Sequence, residues 1–396
     1  MHKQISIIGF IFFLLMYSIG FAQTYIPGVS YFGAHNYIEY IPGTLPIIIS
    51  APHGGYLEPD IIPDRTCNDP VYANDAFTQE LIREVQASIY NEFGCYAHVV
   101  INLLDRRKLD ANRNLTEGAC GNDSAVQAWN DFNGFLDDAE ALVMGQYGKG
   151  FYIDLHGHGN PIQRLEIGYL LYDDELQLSD DILNTDTYIT YSSILNLVNT
   201  NAGALSHAAL LRGENSFGTL ISDKGYPSVP SAADPFPNTG ENYYSGGYNT
   251  IQRSSYNGGT IDGIQIECNM SGVRNTAENR KQFADSLAAV LRTYLTTHYF
   301  LDYELEGCGD FTYATTAYSV NKIVVSPNPV KDIVQFNAAS NAVFNVTIAN
   351  IYGVVLLSNE GIISSNSINI ETLAAGLYFI LIEQSNVTTT HQIIKL

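Results

Sequence analysis

Positive charge is scarce in this chain of 396 residues: 19 Lys and Arg stand against 41 Asp and Glu, a formal net charge of −22. So acidic a protein excludes nucleic acid and an anionic membrane surface as its partner, because both need a net basic face. Charged residues of either sign make up only 15% while 46% are hydrophobic, which excludes global disorder and leaves material for a sizeable core. Cysteine is also sparse. Cys67, Cys95, Cys120, Cys268 and Cys308 include no C-x-x-C pair and no spacing for a zinc knuckle. Their odd number leaves at least one thiol outside any intrachain bond, with room for one or two disulfides in an oxidising compartment. After the first residues no apolar run is long enough to cross a bilayer.

The two ends read differently from the middle. Lys3, the apolar run Ile5–Phe21 and the small residues Gly20 and Ala22 form a secretory signal over residues 1–22, with cleavage ahead of Gln23. The mature chain is therefore expected to be exported, with no membrane span. Beyond a polar, Gly/Thr/Tyr-rich linker at 301–320, residues 321–396 alternate apolar and polar positions between Asn, Gly and Ser turns, the pattern of a small β-sandwich. No metal or nucleophile constellation can be built there. Ser326-Pro327-Asn328-Pro329-Val330, Ile351-Tyr352-Gly353, Leu373-Ala374-Ala375-Gly376-Leu377-Tyr378 and the closing Ile394-Lys395-Leu396 resemble the C-terminal sorting domain of type IX secretion cargo. That resemblance implies the type IX secretion machinery as partner, passage through the outer membrane, removal of this domain, and release or display at the cell surface.

Residues 25–300 read as one α/β unit. Strands over Pro46–Ala51, His98–Leu104, Phe151–Leu155, Glu166–Leu171 and Gly263–Cys268 alternate with helical periodicity over Asn74–Phe93, Asp123–Gln146, Ser192–Thr200 and Thr276–His298. Such alternation predicts a largely parallel or mixed sheet flanked by helices, with functional residues at the strands' C-terminal edges. Chemistry-bearing residues do sit there: His53 before Gly54-Gly55, Asp105-Arg106-Arg107 and Asp110–Asn114, Asp154-Leu155-His156-Gly157-His158, and Glu267. Histidines and a carboxylate at separate strand ends suit a metal hydrolase, in which imidazoles hold the ion and a further carboxylate takes a proton from water. Strand alternation puts Asp154 and His156 on one face, so Asp154 can hold the second ring nitrogen. His158 follows a glycine and either faces substrate or caps its loop. Arg106, Arg107 and Arg113 concentrate cations in a chain that has few, and a guanidinium fork grips a carboxylate or an oxyanion. Asp105 and Asp110 are expected to orient those arginines.

Ser50-Ala51-Pro52-His53-Gly54-Gly55, the helix start at Asn74-Asp75, Asp110-Ala111-Asn112-Arg113, Ile153-Asp154-Leu155-His156, Gly246-Gly247-Tyr248 with Arg253, and Ile264-Gln265-Ile266-Glu267 together resemble N-formylglutamate amidohydrolase. That family is related in fold to zinc carboxypeptidases. The resemblance implies a phosphorylase/hydrolase-like α/β fold and a zinc-dependent amide hydrolase. It makes His53 and His156 zinc ligands, Glu267 the general base, and Asn112 with Arg113 the carboxylate binders; Arg113 is also a catalytic candidate, and Arg106, Arg107, Arg253 and His158 are the other candidates for binding substrate. For the third ligand the resemblance favours Asp75, at the helix start, over Glu58. The carboxypeptidase spacing of His and Glu is absent, because Tyr56 stands at that position. The expected substrate is an N-acyl or N-formyl amino acid or a peptide with a free carboxylate. A carboxypeptidase-like peptidase and a non-catalytic surface binding protein of the same fold are the alternatives.

Overall fold

The computed structural model describes residues 25–201 and 205–305, and in the C-terminal part 324–326, 330–337, 343–350, 355–363, 367–384 and 387–396. The signal over residues 1–22 and positions 306–320 of the linker lie outside the described residues. The chain divides into two compact units, one ending at residue 311 and the other beginning at 312.

The first unit is built on an eight-stranded mixed sheet. Its strands are β1 (Tyr31–Phe32), β2 (Ile38–Ile41), β3 (Ile47–Ala51), β4 (His98–Asn102), β5 (Gly150–Gly157), β6 (Leu165–Gly168), β7 (Ser228–Val229) and β8 (Ile261–Cys268), in the order β1-β2-β4-β3-β5-β8-β6-β7. The central four, β4, β3, β5 and β8, run parallel, while β2 and β6 pair antiparallel with their inner neighbours. The C-terminal ends of the parallel strands therefore share one edge of the sheet.

Side-chain alternation sorts the two faces. Ile47, Ile49, Ile153, Leu155, Ile264 and Ile266 enter a core with helices α1 (Thr78–Phe93) and α4 (Ala277–His298). Ile48, Val100 and Tyr152 face the other way, against α2 (Asp123–Tyr147). A fourth helix, α3 (Tyr248–Arg253), leads into the segment before β8. The helix ends follow local chemistry: Asn122 and Thr276 accept backbone N–H groups at the starts of α2 and α4, and Gly94 and Gly148 close α1 and α2 in left-handed conformation.

The expected layers stand, with adjusted boundaries. The helix expected from Asn74 begins at Thr78, because Phe77 takes a left-handed φ of 70° and breaks the run. Asn74 caps no helix. Its side chain holds the β3 exit instead, accepting from Gly54 N at 2.9 Å and donating to Gly55 O at 2.7 Å. β4 stops at Asn102, whose amide donates to Pro52 O at 2.9 Å and turns the chain away from the ladder. The outer strands β1 and β7 and the adjoining β2 have no counterpart among the strands expected from sequence; each is at most four residues long.

The second unit has two sheets, β13-β10-β9 and β12-β11-β14-β15, built from β9 (Val324–Ser326), β10 (Ile333–Asn337), β11 (Val343–Asn350), β12 (Val355–Ile363), β13 (Ser367–Asn369), β14 (Gly376–Gln384) and β15 (Val387–Lys395). Val334, Phe336 and Ile368 of one sheet and Phe344, Val346, Ile348, Ile380, Ile382 and Ile393 of the other form one core, so the unit is a β-sandwich.

Gly54 tests how the β3 exit is held. Its φ is +107°, and a Cβ there would overlap Thr78 Oγ1 and stand 2.7 Å from Asp75 O. Gly54→Ala is expected to cost about 1–3 kcal/mol of stability, read as a lower urea midpoint. An unchanged midpoint would mean the turn relaxes freely.

Candidate metal and catalytic site

The residues of the site arrive from separate segments, most of them strand ends. β3 runs into Pro52 and delivers His53, buried at 1% exposure. The turn before α1 delivers Asp75, fixed by Asn74 and by the bond from Gly157 N to Asp75 Oδ2 at 3.2 Å. β5 delivers His156. Its neighbour across the parallel ladder is Glu267 of β8, and across the next, antiparallel ladder Glu267 faces Glu166 of β6. His156, Glu267 and Glu166 therefore stand in a row on one face of the sheet.

The two imidazoles use their nitrogens alike. His53 Nε2 meets Asp110 Oδ1 at 2.7 Å, and His156 Nε2 meets Asp154 Oδ2 at 2.9 Å. Both Nδ1 atoms turn toward Asp75 Oδ2, at 3.4 Å from His53 and 3.0 Å from His156. His53 Nδ1 is buried without a hydrogen-bond partner, an arrangement that costs free energy unless something else occupies it. The three donor atoms lie within 4.8 Å of one another. Two imidazole nitrogens and a carboxylate oxygen, each backed by an outer hydrogen bond, form a group able to hold a metal ion.

The outer layer is polar and buried. Asp154, wholly inaccessible, accepts from Ser50 Oγ at 2.7 Å and from the Tyr152 hydroxyl at 3.2 Å. Asp110 accepts from Arg106 Nε at 3.0 Å and has Arg65 Nη2 at 3.6 Å. Burial alone would raise the Asp110 carboxyl, but His53, Arg106 and Arg65 hold it well below the ordinary range. Asp75 is lowered in the same way by His53 and His156, against its burial. Burial disfavours the charged form of His156, yet Asp154 and Asp75 together raise it well above its ordinary value. Burial pushes Glu267 up to about 8; His156 opposes this, and Asp75, Glu166 and Asp154 reinforce it.

His53, Asp75, His156 and Glu267 line a cavity of about 550 Å³. Of the residues expected from sequence, His53, Asp75, His156, Glu267, Asn112, Arg113, Arg106 and His158 all border it. Asn112 Nδ2 lies 3.2 Å from His156 Nε2, and its carbonyl accepts from Asn249 N at 2.8 Å. Gly247 makes that approach possible, since a Cβ there would collide with the Asn112 amide. Arg113 is exposed at the rim, and among the described residues no carboxylate pairs with its guanidinium.

Other expected residues do different work. His158 spends both ring nitrogens on its own loop, accepting from Asn160 N at 3.0 Å and meeting Arg164 O at 2.9 Å. Glu58 is exposed and pairs with Arg107 at 3.6 Å, and Arg107 also binds Asp105 at 3.1 Å. Neither borders the cavity, and Asp75 rather than Glu58 stands with the histidines. Arg253 is turned toward α2, where it binds Asp137, Glu140 and Asn133 and also stays outside the cavity.

Four residues escaped the sequence reading. Arg274 is buried at 2% exposure and ties the strand ends together through Cys268 O at 2.9 Å, His158 O at 2.8 Å and Ala76 O. Gln265 donates to Glu267 Oε1 at 2.9 Å. Tyr244 reaches the cavity on a loop whose backbone N–H is held by Glu166 Oε2 at 2.9 Å. Burial and the nearby Glu267, Glu166 and Asp75 raise its phenol, while Arg106 lowers it. Arg65 supports Asp110 from a loop with no regular structure. Only Gln265 carried a signal, being two residues before Glu267 on the same strand face.

Comparison with known proteins bears mainly on the second unit. Residues 324–396 match the secretion system C-terminal sorting domain. No sequence among the curated proteins matches the chain. Among solved structures, PorZ of Porphyromonas gingivalis, an essential surface component of its type IX secretion system, shares 18% identity over 22% of this chain, with a TM-score of 0.18; the match spans only 13% of PorZ. An N-formylglutamate amidohydrolase from Ralstonia eutropha JMP134 shares 13% identity over 65% of this chain and 96% of its own length, at a TM-score of 0.35. A candidate metallopeptidase from Shewanella amazonensis SB2B shares 11% identity over 68% of this chain and 86% of its own, at 0.29. The sorting domain marks the chain as a type IX cargo, secreted to the cell surface or beyond it.

Proposed function

We propose that the first unit is a zinc-dependent amidohydrolase that cleaves an amide bond in a small carboxylate-bearing substrate, an N-acyl or N-formyl amino acid or a peptide. One observation carries this reading. His53 Nδ1, His156 Nδ1 and Asp75 Oδ2 converge while Glu267 stands beside His156 in the sheet and borders the same cavity. The donor set of two imidazoles and one carboxylate suits zinc with an open position. When bound, the ion supplies Lewis acidity toward a carbonyl oxygen and makes water more acidic.

The chain's own residues do the rest. Glu267 takes the proton of the attacking water and hands it to the leaving nitrogen. Its position two residues after Gln265, with that amide bonded to it, keeps the carboxylate aimed into the cavity. Arg113 at the rim, with Asn112 below it, takes the free carboxylate of the substrate and sets its orientation. Arg106, on the same wall, adds positive potential where negative charge develops on the carbonyl oxygen. Asp110 and Asp154 keep each Nε2 protonated so that each Nδ1 presents its lone pair.

His156→Ala should lose bound metal, whereas Glu267→Gln should retain it and lose turnover by roughly 10²–10⁴-fold. Metal analysis and a screen of acyl amino acids and peptides would read both, and full turnover in folded Glu267→Gln would overturn the role. Metal uptake at pH 7 should release about one to two protons, because His156 starts protonated and must clear Nδ1 while Glu267 is pulled down by the ion. Calorimetry in buffers of different protonation enthalpy measures this, and heats independent of the buffer would count against it. Glu267 must be ionised to act, so activity should fall as pH drops through its pKa. That limb is expected above 4.5, the ordinary value, and no higher than about 8, since a bound cation pulls it down. A limb at or below 4.5 would point to another base.

A further inference from the structure

His53 and Asp75 bound a long excursion, the segment between Ala51 and Thr78, in which no helix or named strand forms. Excursions of this length inside a compact domain are uncommon and need something to hold them. Besides ion pairs such as Lys108 with Asp64 at 2.8 Å and Arg107 with Glu58 at 3.6 Å, three ties join this one to the segment carrying Asp110. Leu57 bridges Leu104. Arg65, buried at 3% exposure, donates to Arg106 O at 2.9 Å, Glu117 O at 3.2 Å and Val71 O at 2.7 Å, and stands 3.6 Å from Asp110 Oδ2. Two residues on, Cys67 is disulfide-bonded to Cys120, with Cα atoms 5.7 Å apart and a sequence separation of 53. Both cysteines are half-buried, within reach of a small thiol.

The consequence runs through Asp110. Arg65 is held by the carbonyls of Arg106, Glu117 and Val71, and the disulfide fastens the loop two residues beyond it. Its charge lies against Asp110, and Asp110 fixes the ring of His53. The far end of the same loop carries Asp75. Breaking the covalent tie frees the middle of the loop and leaves two of the three ligating residues, at its ends, less well placed.

We propose that the Cys67–Cys120 bond is a redox condition on metal binding, with Arg65 as the positioning residue that transmits it. The inference rests on the metal-site reading above. Chemically, two small-molecule thiols give two electrons and two protons, so that Cys67 and Cys120 become free thiols and the donors leave joined as their own disulfide. In a reducing compartment the loop is untied and the site binds metal weakly. After export a disulfide-bearing oxidant takes two electrons and two protons from Cys67 and Cys120 and leaves as two thiols, and the site closes on its ion.

The test uses the full chain as wild type, as Cys67→Ser/Cys120→Ser, and as Arg65→Lys with the disulfide intact. Zinc affinity is measured by chelator competition, and loop exposure by limited proteolysis between residues 59 and 73. Both variants are expected to bind zinc about 10–100-fold more weakly, the range for lost outer support of a ligand, with helix content unchanged and faster loop cleavage in the serine pair. Wild-type affinity in the serine pair overturns the proposal. If the serine pair does not fold, Arg65→Lys decides, and undiminished affinity there also overturns it. Wild type that takes up no zinc removes the metal-site reading and this inference together, an outcome distinct from equal affinity across the set.

Discussion

Two hydrogen bonds inside the protein organise the site: His53 Nε2 to Asp110 and His156 Nε2 to Asp154. Each takes a carboxylate out of water, and a buried carboxylate left unpaired would cost several kcal/mol. The surroundings supply the compensation. Asp154 draws on Ser50 and Tyr152 within the sheet, and Asp110 on Arg106 and Arg65. Once Nε2 is committed on both rings, Nδ1 is the only nitrogen left, and on both rings it points at Asp75.

The sheet makes that convergence possible. Parallel pairing of β5 with β8 puts His156 level with Glu267, and pairing of β8 with β6 puts Glu166 on its other side. Ordinary alternation then gives the same strands an apolar face, where Ile153, Leu155, Ile264 and Ile266 pack with α1 and α4. The polar network and the apolar core are therefore opposite faces of the same strands. A register slip of one residue would exchange them, which is why hydrophobic packing also specifies the chemistry.

Cations follow a different logic. The eleven arginines all lie between Arg65 and Arg292, but they divide by tertiary role. Arg65 and Arg274 are buried among backbone carbonyls and hold segments in place. Arg253 and Arg164 close ion pairs, to Asp137 and Glu140 and to Asp234 and Glu241. Arg113 at the rim keeps its guanidinium open to the cavity. Clustering in sequence pointed to Arg106, Arg107 and Arg113 as a set, yet Arg107 turned outward to Glu58 and Asp105, where a partner was nearer.

Much of the fold was legible because its signals are local. The alternation in 321–396 marks the seven described strands of the second unit, and the strand periodicity marks β3, β5 and β8, which lead to His53, His156 and Glu267. The motifs at the strand ends also marked His53, His156 and Glu267, since a residue at the end of a parallel strand has few places to go. The alternation of Asp154 with His156 even foretold their hydrogen bond. What depended on distance along the chain was not legible. The grip of Asp110 on His53, the clamp of Arg274 and the outward turn of Arg253 each depend on which distant backbone or carboxylate lies within about 3 Å, the reach of a hydrogen bond. The sequence by itself determined the periodic elements and the residue types at their ends, because those follow from side-chain alternation and local capping. Only the tertiary structure decided which of those residues share one cavity, because burial and pairing are set by segments far apart in the chain.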